Sequence, residues 1–166
     1  MPSILDELNL RIIRALQDEG RISIARLSRK LNTPRTTLIY RINELEKAKI
    51  IKGYRAEVDP SKLGYVYTAF ILVKARRGTQ IAGKPLQVRL IEKLVKDSER
   101  EKNLPWIEEA HIITGEYDVL LKVRAKNIED LTNLLIKKMA DYEEVVQTVT
   151  LIVLTTPHEN HRVPVD

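Results

Sequence analysis

The apolar residues of this chain follow two rhythms, and the change from one to the other constrains the fold more than any other feature. Up to about residue 48 they recur every three or four positions, as on helices; from Tyr65 onward, strand-like runs alternate with helical ones. Two small domains of different class are expected, an all-helical one followed by a mixed one.

In the first part, Leu5, Leu8, Ile12, Ile13 and Leu16 predict a helix that stops near Gly20. Ser23 suits the cap of a second, short helix with Ile24, Leu27 and Leu31 on one stripe. Asn32, tolerant of a left-handed backbone, suits its end. Thr33 is expected to cap a third helix opened by Pro34, running over 34–48 with Leu38, Ile42 and Leu45 inward. Two helices joined by so tight a turn predict a helix-turn-helix over about 23–47.

The face of the third helix opposite that stripe carries Thr36, Tyr40, Asn43 and Lys47, flanked by Thr37 and Ile39. Side chains that donate and accept hydrogen bonds, with no carboxylate near the helix start, suit a major groove, where acids would meet phosphate. Charge points the same way. The whole chain is only +5, but Gly20–Arg55 holds ten basic residues against Glu44 and Glu46. Such concentration is an electrostatic footprint rather than scattered solubility charge.

Tyr54–Asp59 alternates as a short strand, and 60–64 reads as a linker, closing a first domain of 1–60. In 65–156 the expected order is strand (65–76), helix (86–101), strand (106–114), strand (117–125), helix capped by Asn127, and strand (144–156). That βαββαβ order predicts a ferredoxin-like two-layer sandwich, so the fold class is α+β. The first and last strands are apolar on both alternations, for example Ala69, Ile71 and Val73 against Phe70 and Leu72. Two-sided apolar strands in a two-layer fold call for a second copy over the open sheet face. A helix from 77–105 folded over that face is the alternative. Residues 157–166, bounded by prolines and holding His158 and His161, read as a mobile polar tail without catalytic or metal-binding character.

The set Ile4-Leu5-Asp6, Arg21-Ile22-Ser23, Leu27-Ser28, Leu31, Arg41 to Glu46, Ile51-Lys52-Gly53-Tyr54, Asp59-Pro60, Leu63-Gly64 and Thr114 to Asp118 resembles the leucine-responsive/asparagine-type (Lrp/AsnC, feast-or-famine) transcription regulators over nearly the whole chain. The resemblance implies an N-terminal winged helix-turn-helix, a C-terminal domain that pairs sheets into dimers and larger assemblies, and small effectors, commonly amino acids, bound between subunits. Asn32 and Lys49 stand where the family usually has glycine, and 77–105 is longer than usual.

Arg35, Thr36, Thr37, Tyr40 and Asn43 are therefore the expected base-reading residues. Arg26, Arg29, Lys30 and Arg41 are the expected phosphate contacts, with a tie to a neighbouring Glu of its own domain as the alternative for Arg41. Gly115, Glu116, Tyr117 and Asp118 form a turn able to take a carboxylate on backbone N–H groups and an ammonium on Asp118. Thr148 and Thr150 match a pattern that some relatives carry at the same pocket. A plain hairpin glycine with a structural Asp is the alternative. No enzyme chemistry and no cofactor are expected. Residues Gly78–Lys84 fit seven places of a phosphate-binding loop, a remote nucleotide-binding alternative, but Pro85 stands where Ser or Thr would ligand Mg²⁺. An oligomeric, ligand-sensing scaffold whose helical domain binds protein is the other alternative.

Zero cysteines exclude disulfides and thiol chemistry. The longest strongly apolar stretch, Leu63–Val73, is too short to cross a membrane, and acids at Asp6 and Glu7 argue against a secretory signal, so a cytoplasmic protein is expected.

Overall fold

The computed structural model describes residues 4–76, 83 and 85–165. Two compact units emerge: residues 1–58 together with 158–166, and residues 59–157.

The first unit contains α1 (Glu7–Asp18), α2 (Ile24–Leu31) and α3 (Arg35–Lys47). Their stripes meet in a core of Ile12, Ala15, Ile22, Leu27, Leu31, Leu38, Ile42 and Leu45. Ser23 caps α2 as expected, its hydroxyl accepting from the Arg26 N–H at 3.2 Å. Asn32 ends α2 at φ 49°, where its N–H and that of Thr33 return to the carbonyls of Arg29 and Ser28. The end of α3 repeats this arrangement with Lys49 at φ 58°. The Lys49 N–H donates to Glu46 O and the Ile50 N–H to Leu45 O, both at 3.0 Å. Lysine in that conformation costs about 1–2 kcal/mol, offset by the carbonyls so satisfied.

Thr33 does not cap α3. Its hydroxyl donates backward to Leu31 O at 3.0 Å, while Ser28 Oγ donates to Thr33 O at 2.6 Å, so both side chains close the turn. The cap position belongs to Pro34, which offers no side-chain acceptor. Tyr54–Asp59 is not a strand. It runs as exposed chain with no ladder partner among the described residues, and alternation cannot make a strand without a neighbour to share hydrogen bonds.

The expected mobile tail is held against α1. Val163 exchanges two hydrogen bonds with the Gln17 side chain, at 2.7 and 3.0 Å. Arg14 donates to Val165 O, and the Arg162 guanidinium pairs with Asp18 at 2.9 Å.

The second unit opens with a 3-10 turn (Pro60–Leu63), whose N-cap Asp59 accepts from Ser61 N–H. It then adds β1 (Tyr67–Ala75), α4 (Leu86–Arg100), β2 (Trp106–Ile112), β3 (Val119–Ala125), α5 (Ile128–Thr132) and β4 (Val145–Ile152). The sheet order is β2-β3-β1-β4 with every described pair antiparallel, so β1 and β2 run parallel with β3 between them. This is the expected split βαβ arrangement. Residues 113–118 join β2 to β3, a wider connection than a Gly115-Glu116 hairpin turn, closed by Ile113 N–H to Asp118 O at 2.9 Å.

Both helical segments pack on one sheet face: Leu90 and Leu94 of α4 and Leu131 of α5 join Ala69, Ile71, Val73, Val119, Leu121 and Val123 in the core. The alternative in which a helix from 77–105 covers the open face is thereby overturned, because α4 lies on the other side. Asn127 caps α5, accepting from the Asp130 N–H at 2.8 Å. Helical winding continues as a π segment over Asn133–Lys138 and a 3-10 turn over Met139–Asp141. The wider winding sets Leu134 above Met139, five residues on, and both are buried. Lys138 is half-buried, its ammonium 2.5 Å from Glu101 and 3.3 Å from Asp97.

Candidate nucleic-acid interface

The reading surface begins with what the core leaves outside. With Leu38, Ile42 and Leu45 buried, α3 exposes Arg35, Thr36, Tyr40, Asn43 and Lys47, whereas Thr37 is half-buried. Tyr40 is 63% exposed, and Ile39, on the flank of the same face, is 46% exposed. Sequence reasoning placed Ile39 beside the reading face without giving it a role; its exposure is the signal that the wheel alone lacks. Acidic residues are absent from the first turn of α3, and no side chain caps it, so its leading N–H groups add positive potential where a phosphate would come.

The basic residues divide into bound and free. Arg29 and Arg35 are exposed and form no ion pair among the described residues. Arg29 lines a shallow open depression over the turn with Ser28, Asn32, Thr33 and Pro34. Lys30 lies only loosely against Asp18, at 4.0 Å. Arg26 pairs with Glu19 at 2.6 Å, yet both are exposed, so the pair gives way readily to a stronger anion. Arg41 is different. Its guanidinium lies 2.5 Å from the Asp6 carboxylate, which also caps α1 by accepting from the Asn9 N–H at 2.9 Å. That backbone hydrogen bond first, and Arg41 after it, hold the Asp6 carboxyl below its ordinary range. Arg41 is thus tied within its own domain, as the alternative had it, but its partner is Asp6 rather than a neighbouring Glu, and the pair ties α3 to α1. Tyr54 is tied back as well: its hydroxyl donates to Glu46 at 3.0 Å, and burial with that bond pushes its phenol up to about 12.

The proposed effector residues gather around one end of β1. Asp118 N–H donates to Val73 O at 3.0 Å, and the Asp118 carboxylate accepts from the Ala75 N–H at 2.8 Å. Part of its acceptor capacity is therefore used within the fold, as the structural alternative had it. Gly115 stands at φ 122° and is exposed with Glu116, while Tyr117 is half-buried. Thr148 sits opposite Val73 on β4, and Thr150 opposite Ile71, so Thr148 flanks the same end of β1 from its other side. One strand separates it from Asp118, roughly 10 Å at ordinary strand spacing. The candidate nucleotide loop Gly78–Lys84 lies outside the described residues, apart from Gly83.

The open sheet face divides in two. Toward β4 it presents Phe70, Leu72, Leu120, Val149 and Leu151, the last 53% exposed. Toward β2 it is charged: Arg124 and Lys122 lie 2.7 and 3.3 Å from Glu108, and Glu109 pairs with His111 at 3.0 Å.

Comparison with known proteins identifies the two domains. The sequence profile of the Lrp/AsnC ligand binding domain matches residues 68–163, and that of a winged helix-turn-helix DNA-binding domain matches residues 5–52. The HTH-type transcriptional regulator FL11 of Pyrococcus furiosus is 36% identical over 165 residues, covering 99% of both chains. An uncharacterized HTH-type transcriptional regulator of Pyrococcus horikoshii is 35% identical over 159 residues, 96% of this chain and 99% of that one. Among solved structures, AsnC of E. coli superposes with a TM-score of 0.77 at 28% identity over 96% of this chain and 99% of its own. The fold also matches a Neisseria meningitidis transcriptional regulator solved in complex with L-Met, with a TM-score of 0.80 at 21% identity and 96% coverage of each chain.

Proposed function

The chain belongs to the Lrp/AsnC family of DNA-binding transcriptional regulators, and from that premise we propose that it reads specific duplex sequences as a homodimer, with α3 in the major groove, Arg35, Thr36, Thr37, Tyr40 and Asn43 toward base edges, and Arg26, Arg29 and Lys30 on flanking phosphates. The observation that carries this reading is the outward face of α3: exposed, hydrogen-bonding and free of acids over its first turns, beside two arginines, Arg29 and Arg35, without carboxylate partners among the described residues. Arg41, committed to Asp6, is left out of the set. Arg29→Ala should weaken binding to every duplex alike, whereas Tyr40→Ala should relax preference among sequences. Fluorescence anisotropy on a matched and a scrambled site checks this, and equal losses on both duplexes from both variants would refute the division of roles. Binding that ignores salt, or no binding, would favour a protein-binding scaffold instead.

Dimerisation is assigned to the open sheet face, because Phe70, Leu72, Leu120, Val149 and Leu151 form an apolar band that no helix among the described residues covers. Leu151→Glu places a charge on that band without disturbing the core. It should turn a dimer into a folded monomer in sedimentation at micromolar concentration.

An amino acid or similar small effector is the proposed regulatory ligand, supported by the L-Met bound to the Neisseria relative and by the Gly115–Asp118 turn. Backbone N–H groups near Gly115 and the carboxylate of Asp118 are the groups a zwitterion needs. A thermal-shift panel of the common amino acids should identify a stabilising ligand whose effect is lost in Asp118→Asn. Retention of the full shift in that variant would remove Asp118 from the site.

A further inference from the structure

Resting on the reading of α3 as the helix that enters the major groove, we propose that Ile39 is a specificity-determining residue that recognises the C5-methyl group of a thymine in each half-site. An exposed isoleucine alone needs no explanation, but its setting here does. Arg35, Ile39 and Asn43 are spaced i, i+4, i+8 and form one row along the flank of the outward face of α3, and all three are exposed. The apolar member therefore stands between a guanidinium and a carboxamide. Four residues advance a helix about 6 Å, close to two base-pair steps of about 3.4 Å each. Successive members of the row thus reach successive parts of one site. The thymine methyl is the only large apolar feature on a base edge in the major groove, and it is the partner an unbranched polar side chain cannot match. Ile39 is β-branched, with few rotamers to lose on a helix, so its burial against a methyl group costs little ordering. Its desolvation is useful only against such a group.

The test separates this contact from DNA reading as a whole. A duplex selection with the full-length protein first defines the preferred half-site, and each thymine is then replaced by uracil, which removes the methyl group and leaves pairing intact. One position per half-site should weaken wild-type binding about threefold to tenfold, and the same replacement should change Ile39→Ala binding by less than about twofold. Ile39→Val, which keeps the branch at Cβ and loses only the Cδ1 methyl, should retain most of the discrimination. A preferred site with no methyl-dependent position, or a dependence that survives in Ile39→Ala, overturns the assignment of Ile39 while leaving sequence-specific DNA binding intact. A selection that yields no preferred sequence overturns both. Thermal unfolding of Ile39→Ala at the wild-type temperature guards against misfolding, as befits a residue with 46% of its surface exposed.

Discussion

Raising salt from 50 to 200 mM is expected to weaken the complex with DNA about a thousandfold, given roughly six phosphates neutralised by two reading heads. Arg29, the loosely held Lys30 and Arg26, whose exposed pair with Glu19 gives way to a phosphate, supply three cations per head. Each phosphate neutralised releases condensed counterions, and the gain shrinks as bulk salt rises. The logarithmic slope of affinity against salt, from anisotropy titrations, should lie near −5. Arg29→Ala should reduce its magnitude by about 2, one contact per head. Arg41→Ala should leave the slope nearly unchanged while lowering stability, because its charge is spent on Asp6. A slope near zero would remove electrostatics as the source of affinity, and with it the account of the basic segment.

The second large effect concerns stability. Leu38 has no exposed surface and sits where α3 meets a core of only eight buried residues. Leu38→Ala should cost about 3 kcal/mol, a large share of what so small a unit holds in reserve. Calorimetry should show unfolding of the helical unit lowered by roughly 10–20 °C, while the 59–157 unit unfolds as before, since its core of Ile71, Leu90, Leu94, Leu121 and Leu134 is separate. DNA binding at 37 °C should fall with it, though Leu38 faces away from the groove. A drop below about 5 °C would show that this core collapses around the loss more completely than its packing suggests.

Local signals are legible in the sequence where one residue type has one strong preference. Ser23, Asn32 and Asn127 occupy the cap and end positions their side chains suit, and Leu38, Ile42 and Leu45 reveal which face of α3 is outward. Thr33 is ambiguous in sequence because a threonine between two helices can bond forward or backward, and the turn geometry decides which. Arg41 and Asp6, 35 residues apart, give no local sign of their contact. The same holds for Asp118 and the Ala75 N–H across two strands. Alternation in Tyr54–Asp59 was real, but the described residues contain no neighbouring strand for it. The π segment followed from a five-residue spacing, Leu134 to Met139, that helical periodicity reads as noise.

The tail bonded to α1 changes how the chain can be divided. Residues 158–166 belong to the same compact unit as residues 1–58, so the 59–157 unit is an insertion within the helical one. In the vocabulary of split proteins, residues 1–58 are a large fragment and 158–166 its small complement, joined through Arg14, Gln17 and Asp18. Cutting the chain after residue 58 yields an incomplete module, and a minimal reading head is a two-piece object whose second piece is encoded about a hundred residues downstream.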